Sequence, residues 1–224
     1  MTKNKIIVRS PAKVNLGLYL TDKRPDGYHE LCSIFLPIEH SDFLEIELIA
    51  SESLGKKNKS EAIKKETVEI FSNPLGIFWD QCPCDPSNIV YKAYNELARF
   101  VKEKNKINLP SVKVNILKNI PIEAGLGGGS SNAASFLKGM NELFELKLNK
   151  EDLKHVGAKL GADVPFFIDE LPALVSGIGD VIEPFELKRD YWLVLIKPRS
   201  GLSTARVYKG FTLDLTLKTI NARH

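Results

Sequence analysis

The chain has 224 residues, 43% hydrophobic and 26% charged, with a formal net charge of +3. Those values fit one large or two small soluble domains, give no electrostatic case for nucleic acid, and permit a small anionic substrate. No stretch approaches the roughly 18 apolar residues of a membrane span, and the short apolar run behind Met1-Thr-Lys-Asn-Lys5 is not expected to be a signal peptide. Cys32, Cys82 and Cys84 are an odd count without a disulfide framework, which fits free thiols in a reducing, cytoplasmic compartment. Cys82-Pro-Cys84 has no second pair, so no structural metal is expected there.

In chain order, residues 6–20 read as strands interrupted at Ser10-Pro11. Alternation in Val14-Asn-Leu-Gly-Leu-Tyr-Leu20 predicts Val14, Leu16, Leu18 and Leu20 on the core face. Arg24-Pro-Asp-Gly27 has the composition of a tight turn. Strands are expected at 34–38 and 43–49, and the lysine-rich stretch 51–66 reads as a solvated loop or hairpin insertion. A short strand at 68–71 precedes an irregular stretch to Asp85. With Asp85 as cap and Pro86 in the first turn, a helix then places Val90, Ala93, Tyr94, Leu97 and Val101 on one face.

The strand Val112-Lys-Val-Asn-Ile116 leads into a glycine-rich run. After it comes a helix with Ala133, Phe136, Leu137, Met140 and Phe144 on one face and Ser130 or Ser131 as cap. Another helix is expected over 150–160, with Asn149 as cap, Leu153, Val156 and Leu160 inward, and Gly161 ending it. Strands return at 164–168, 173–176 and 192–196, with Gly177-Ile-Gly179 a turn. A mixed α+β fold follows, helices coming after hairpins.

The run Pro121-Ile-Glu-Ala-Gly125-Leu-Gly-Gly-Gly129-Ser-Ser-Asn-Ala133 carries the most information. Four glycines in five positions discard side chains at an entropic cost, so bare backbone is needed there. A loop of this kind feeding a helix N-terminus offers free N–H groups and a positive dipole end to a phosphate. No Gly-Lys-Ser/Thr ends it, and the third glycine of a dinucleotide fingerprint would fall on Ser130. A glycine-rich surface turn is the competing reading.

Two charged residues join the loop. Lys13 sits between apolar neighbours on a strand and is either paired or used, or points to water from an edge. Asp163, in Leu160-Gly-Ala-Asp-Val-Pro165, lies at a corner and is either a turn residue or a fixed carboxylate. Phosphoryl transfer needs a phosphate cradle, charge neutralisation and a group that orients or deprotonates the attacking hydroxyl. Loop, lysine and aspartate are those parts. No serine occupies a nucleophile elbow, which disfavours a Ser-His-Asp hydrolase.

Ser10-Pro-Ala-Lys-Val-Asn-Leu16, Pro25-Asp-Gly-Tyr-His29, Asn88-Ile-Val-Tyr-Lys-Ala93, Gly125-Leu-Gly-Gly-Gly-Ser-Ser-Asn-Ala133 and Gly161-Ala-Asp-Val-Pro165 occur in that order. Together they resemble the GHMP kinase superfamily, and within it the 4-diphosphocytidyl-2-C-methyl-D-erythritol kinases of the non-mevalonate isoprenoid pathway. The resemblance runs from Ser10 to about Tyr208. It implies a ribosomal-S5-domain-2-like N-terminal domain over 1–190, the start of an incomplete C-terminal α/β domain over 191–224, and ATP and Mg²⁺ as cofactors. By position it makes Lys13 and Asp163 the catalytic pair, Asp163 taking the proton of the substrate's 2-hydroxyl. Asn88, Pro121, Gly125, Leu126, Gly127, Gly128, Gly129, Ser130 and Ser131 match the ATP site, with Ser131 a magnesium ligand. Asn15, Tyr28 and His29 match substrate contacts, and Thr204 and Tyr208 match the same pocket more loosely.

The superfamily pattern continues for several tens of residues and carries a third glycine-rich motif, whereas this sequence stops at Asn221-Ala-Arg-His224. The expectation is therefore a shortened second domain around the apolar 192–196 and the alternating 211–217, with an exposed patch and self-association. The alternatives are a nucleotide-binding remnant without turnover, or another small-molecule kinase of the superfamily. Tyr28-His29 disfavours homoserine and mevalonate kinases, and the low net charge disfavours an S5-like RNA-binding role.

Overall fold

The computed structural model describes residues 4–24, 29–49, 67–75, 82–188 and 192–197. Among them the chain forms β1 (Lys5–Lys23), β2 (His29–Leu48), β3 (Val68–Pro74), α1 (Ile89–Asn105), β4 (Val112–Lys118), α2 (Gly128–Leu143), α3 (Lys150–Ala158), α4 (Val164–Asp169), β5 (Ala173–Ser176) and β6 (Val181–Pro184).

The long strand β2 organises one mixed sheet in the order β3-β4-β2-β5-β6, with β1 also antiparallel to β2. β4 pairs with residues 43–48 of β2 and β5 with residues 33–35, both antiparallel. β3 runs parallel to β4. The helices pack together over this sheet, α2 against both β1 and β2. The core between them includes Leu44, Ile46, Val114, Ile116, Phe136, Leu137 and Met140, all without exposed surface.

The α1 face is the one predicted: Val90, Ala93, Tyr94, Leu97 and Val101 are all buried. Its cap is not. Asn88 closes the first turn, accepting from the Val90 amide at 2.9 Å, while Asp85 folds a turn onto the Ser87 amide. Asn149 caps α3 as expected, in a reciprocal capping box with Asp152. That helix ends at Ala158, so Gly161 comes after it instead of stopping it.

Other expectations are corrected. The proposed break at Ser10-Pro11 is a register shift between Pro11 and Lys13 inside one continuous strand, and 34–38 and 43–49 are likewise one strand. Leu16 and Leu18 are about half exposed instead of core. Leu16 is the extra residue at a second shift, between Asn15 and Gly17, and beyond it Leu18 and Tyr19 are exposed alike, so this stretch of β1 has no covered face to alternate against. Residues 164–168 are helical, not extended: Pro165 falls in the first turn of α4, where its missing N–H costs nothing. Residues 192–196 form no strand, and Trp192, Val194 and Ile196 are almost wholly exposed. Strand β6 has no counterpart among the strands expected from the sequence. The expected loop 51–66 and strand 211–217 lie outside the described residues.

Candidate active site

Three elements deliver the charged pair and the loop to one cleft of ≈ 1640 Å³. β1 contributes Lys13 and Asn15, two residues apart and therefore on one face; the start of α4 contributes Asp163; the β4–α2 connection contributes the glycines. Lys13 stands on a strand paired on one side only among the described residues, yet it does not point to water. It is 6% exposed, its Nζ lies 3.8 Å from Asp163 Oδ2 and 4.2 Å from the Phe35 ring centroid, and it donates to Asn15 Oδ1. Burial pushes its pKa below the ordinary lysine value, and the Asp163 charge pulls it part of the way back. Asp163 is the cap residue of α4, but its side chain makes no capping bond. Its carboxylate faces Lys13 instead.

The loop is registered against the lysine strand. The β1–β2 pairing is interrupted beside Ala12, where residues 38–40 of β2 bulge, and the Lys13 amide donates to Leu126 O at 3.0 Å. Ser10 Oγ lies 2.9 Å from Ser131 Oγ and 2.7 Å from Asn132 Oδ1, all three residues buried. Two of the sequence motifs thus interlock. Gly127, at φ +69, is the cap of α2, a position expected for Ser130 or Ser131. A Cβ on it would come within 2.8 Å of the Phe167 ring and 3.1 Å of Lys13 Cγ. The bare backbone there lets the loop, Lys13 and the start of the helix meet.

Two glycines face open space. Nothing lies within 4 Å of where a Gly125 Cβ would stand, and the nearest neighbour for Gly129 is Ile89 at 3.8 Å. Pro121, Leu126 and Ser130 also line the cleft. Ser131 does not: its hydroxyl is turned into the protein against Ser10. A run of exposed backbone at the start of a 16-residue helix has the shape and polarity that phosphates need, so the residues present fit a nucleotide. Asn88 lines the same cleft, with its side chain spent on capping α1 and on Pro83 O at 2.6 Å.

Tyr28, Thr204 and Tyr208 lie outside the described residues, and of His29 only the backbone is described, as the first residue of β2. Leu193 and Leu195 add an apolar wall to the cleft.

One buried pair was not anticipated from the sequence. Lys118 Nζ donates to Asp42 Oδ2 at 2.8 Å, with Lys118 4% exposed and Asp42 fully buried. Asp42 Oδ1 accepts the amides of Asn119 and Ile120 at 2.7 Å each, and Lys118 also donates to Ile120 O. This fixes the chain just before the glycine run. A signal was present: Lys118 continues the inward register of Val112, Val114 and Ile116, as Asp42 does that of Leu44 and Ile46.

Residues 88–170 match the family described as GHMP kinases N terminal domain. The chain is 40% identical over 209 residues to the 4-diphosphocytidyl-2-C-methyl-D-erythritol kinase of Citrifermentans bemidjiense, a match covering 93% of this chain and 66% of that protein. The kinase of the same name from Geotalea daltonii is 42% identical, with 92% and 64% covered. The chain therefore spans just under two thirds of the length of these curated relatives. Among solved structures, a 4-(cytidine 5'-diphospho)-2C-methyl-D-erythritol kinase superposes with a TM-score of 0.61 at 30% identity, covering 81% of this chain and 56% of the other. The mevalonate kinase of Methanococcus jannaschii, at 15% identity and a TM-score of 0.51 over 82% of this chain and 56% of that one, shares the fold alone. With the signature loop folded against the lysine strand, residues 88–170 form a GHMP kinase N-terminal domain, and similarity to these kinases runs along nearly all of the chain.

Proposed function

We propose that the chain carries the ATP-binding and catalytic part of a kinase that phosphorylates the C2 hydroxyl of 4-diphosphocytidyl-2-C-methyl-D-erythritol. The observation that carries this reading is the Lys13–Asp163 pair, set in the same cleft as the bare backbone of the glycine loop. The names borne by relatives at 40–42% identity support the choice of substrate.

In this reading Asp163 accepts the hydroxyl proton as the substrate oxygen attacks the γ-phosphorus. The new O–P bond forms while the bond from that phosphorus to the β,γ-bridging oxygen breaks, and ADP leaves with the electron pair. Lys13 holds Asp163 in place and offsets charge at the reacting centre. Amides of residues 125–130 receive the phosphates, the Ser131 amide being already bonded to Gly127 O. Magnesium would neutralise charge between the phosphates, and Ser130 is the serine of the pair that lines the cleft and would hold it. Tyr28 and His29 are assigned to the cytosine, with Thr204 and Tyr208 beside them and Asn15 near the reacting hydroxyl. Residues 1–190 form the nucleotide-binding domain in this scheme, and 191–224 begin the next.

A coupled ADP-release assay tests it. Release that depends on the cytidine substrate supports the proposal. ATP binding without substrate-dependent release overturns turnover and leaves a nucleotide-holding role. Equal turnover of mevalonate or homoserine overturns the substrate assignment.

A further inference from the structure

Asn15 touches Lys13, yet an amide can present either its oxygen or its nitrogen, and only the oxygen serves an ammonium. What decides the orientation lies one strand away. Asn15 Nδ2 donates to Ser33 Oγ at 3.1 Å, and Ser33 Oγ donates to Gly17 O at 2.6 Å. A hydroxyl has a single proton. Gly17 O can only accept, so the Ser33 proton goes there and Ser33 is left to accept from Asn15. The amide nitrogen must then face Ser33 and the oxygen must face Lys13. Lys13, which can only donate, demands the same orientation from the other side.

The carbonyl that claims the serine proton sits at a fault in the sheet. Between Asn15 and Gly17 the register of β1 on β2 slips by one residue, Asn15 pairing with Phe35 and Gly17 with Ile34. A bulge of this kind leaves a ladder group to be satisfied by a side chain. Ser33 is 2% exposed and packed between β1 and β5, so water has little access to replace it.

We propose that Ser33 is a positioning residue: by satisfying the bulge carbonyl it fixes the Asn15 amide, and through that amide the place of the Lys13 ammonium. The assignment of Lys13 to phosphoryl transfer rests on the function proposed above, but the relay itself does not.

The test is Ser33→Ala in the 224-residue chain, with two readouts. The first is the NMR titration of the Lys13 Cε signal, which needs no turnover. Asp163 is the charged partner of Lys13 among the described residues, and it is untouched by the substitution. Losing the fixed Asn15 oxygen removes an acceptor from the charged form, so Lys13 titrates at lower pH than in the parent chain. The second is steady-state kinetics: kcat falls about tenfold or more, as misplacement of a reacting group requires, while KM for ATP stays within about twofold. Ser33→Thr, which keeps the hydroxyl, restores both.

An unchanged Lys13 titration in a folded Ser33→Ala chain overturns the proposal, as does a Ser33→Thr chain that behaves like Ser33→Ala. If Ser33→Ala does not fold, Ser33→Cys takes its place with the same expectations, thiol being a poor acceptor. A parent chain without turnover sinks the kinase reading, and the titration still decides the role of Ser33.

Discussion

Lys118 and Asp42 stand one step past the strand pair Phe43–Leu117, opposite charges on facing inward positions of β4 and β2. The pair is almost wholly removed from water, and Asp42 also accepts two consecutive amides. Removing one partner leaves a buried charge uncompensated. Asp42→Ala should lower stability by about 3–5 kcal/mol, read from urea unfolding, and should loosen the approach to the glycine run. A loss below about 1 kcal/mol would mean that water reaches Lys118 after all.

Asp163→Asn keeps the shape of the side chain and removes the carboxylate that the proposed reaction uses as its base. Turnover should fall about 10²–10⁴-fold, with ATP affinity measured by calorimetry nearly unchanged. A variant keeping more than half the parent rate would reduce Asp163 to a turn residue.

Gly129 and Gly127 separate folding from phosphate binding. Gly129 is helical and has space for a Cβ, so Gly129→Ala should fold with equal or slightly higher stability, alanine being favoured in helices by up to about 1 kcal/mol. If phosphates approach that backbone, ATP affinity should still drop. Gly127→Val should fail in both respects, since its side chain would meet the Phe167 ring and its φ is positive. Unchanged ATP binding by Gly129→Ala would move the phosphate site along the loop.

Burial places the pKa of Lys13 below the ordinary value of 10.5, with Asp163 opposing the shift. Between the folded and unfolded values the unfolded chain binds more protons. The lysine's contribution to stability is thus unfavourable at low pH and is relieved as pH rises through the folded value. Catalysis that needs the ammonium should run the other way, its alkaline limb falling below the range of a solvated lysine. Asp163→Asn removes the opposing charge, so the Cε titration of Lys13 should move lower still. A shift upward would show that the carboxylate does not face the ammonium in solution.

Trp192, Val194 and Ile196 present an apolar run to solvent beside the cleft. Contiguous surface of this kind favours association. Light scattering should show self-association rising with concentration, reduced by the double substitution Trp192→Lys and Val194→Lys. A monodisperse parent chain would refute it.

Helical periodicity made α1 and the inward face of α2 legible, because apolar residues repeating every 3.6 positions over about three turns fit a helix and no strand. Lys13, Asp163 and the glycine loop, which the structure brings into one cleft, were singled out by their motifs. Lys13 itself stayed ambiguous because its strand is irregular on both sides of it, opposite residues 38–40 of β2 and again at Leu16. Val164-Pro-Phe-Phe-Ile168 misled for a different reason: six residues are too few to distinguish a buried helical turn from a strand by period. Ser33 was invisible, since its role depends on a carbonyl supplied by another strand.

The small helix α4 cannot define its own axis, and both of its ends are anchored from outside. Asp169 pairs with Lys150 at 3.2 Å and Lys154 at 2.7 Å on α3; Glu170 pairs with Lys138 on α2 and, at 3.4 Å, with Arg9. Arg9 belongs to the same strand as Lys13. One strand therefore grips α4 at two points, with Lys13 holding the carboxylate at its start and Arg9 holding its far end. Sliding or tilting α4 along β1 would have to break both rungs together, so the spacing between acid and ammonium behaves as a rigid ruler. Its graduations are four residues of β1.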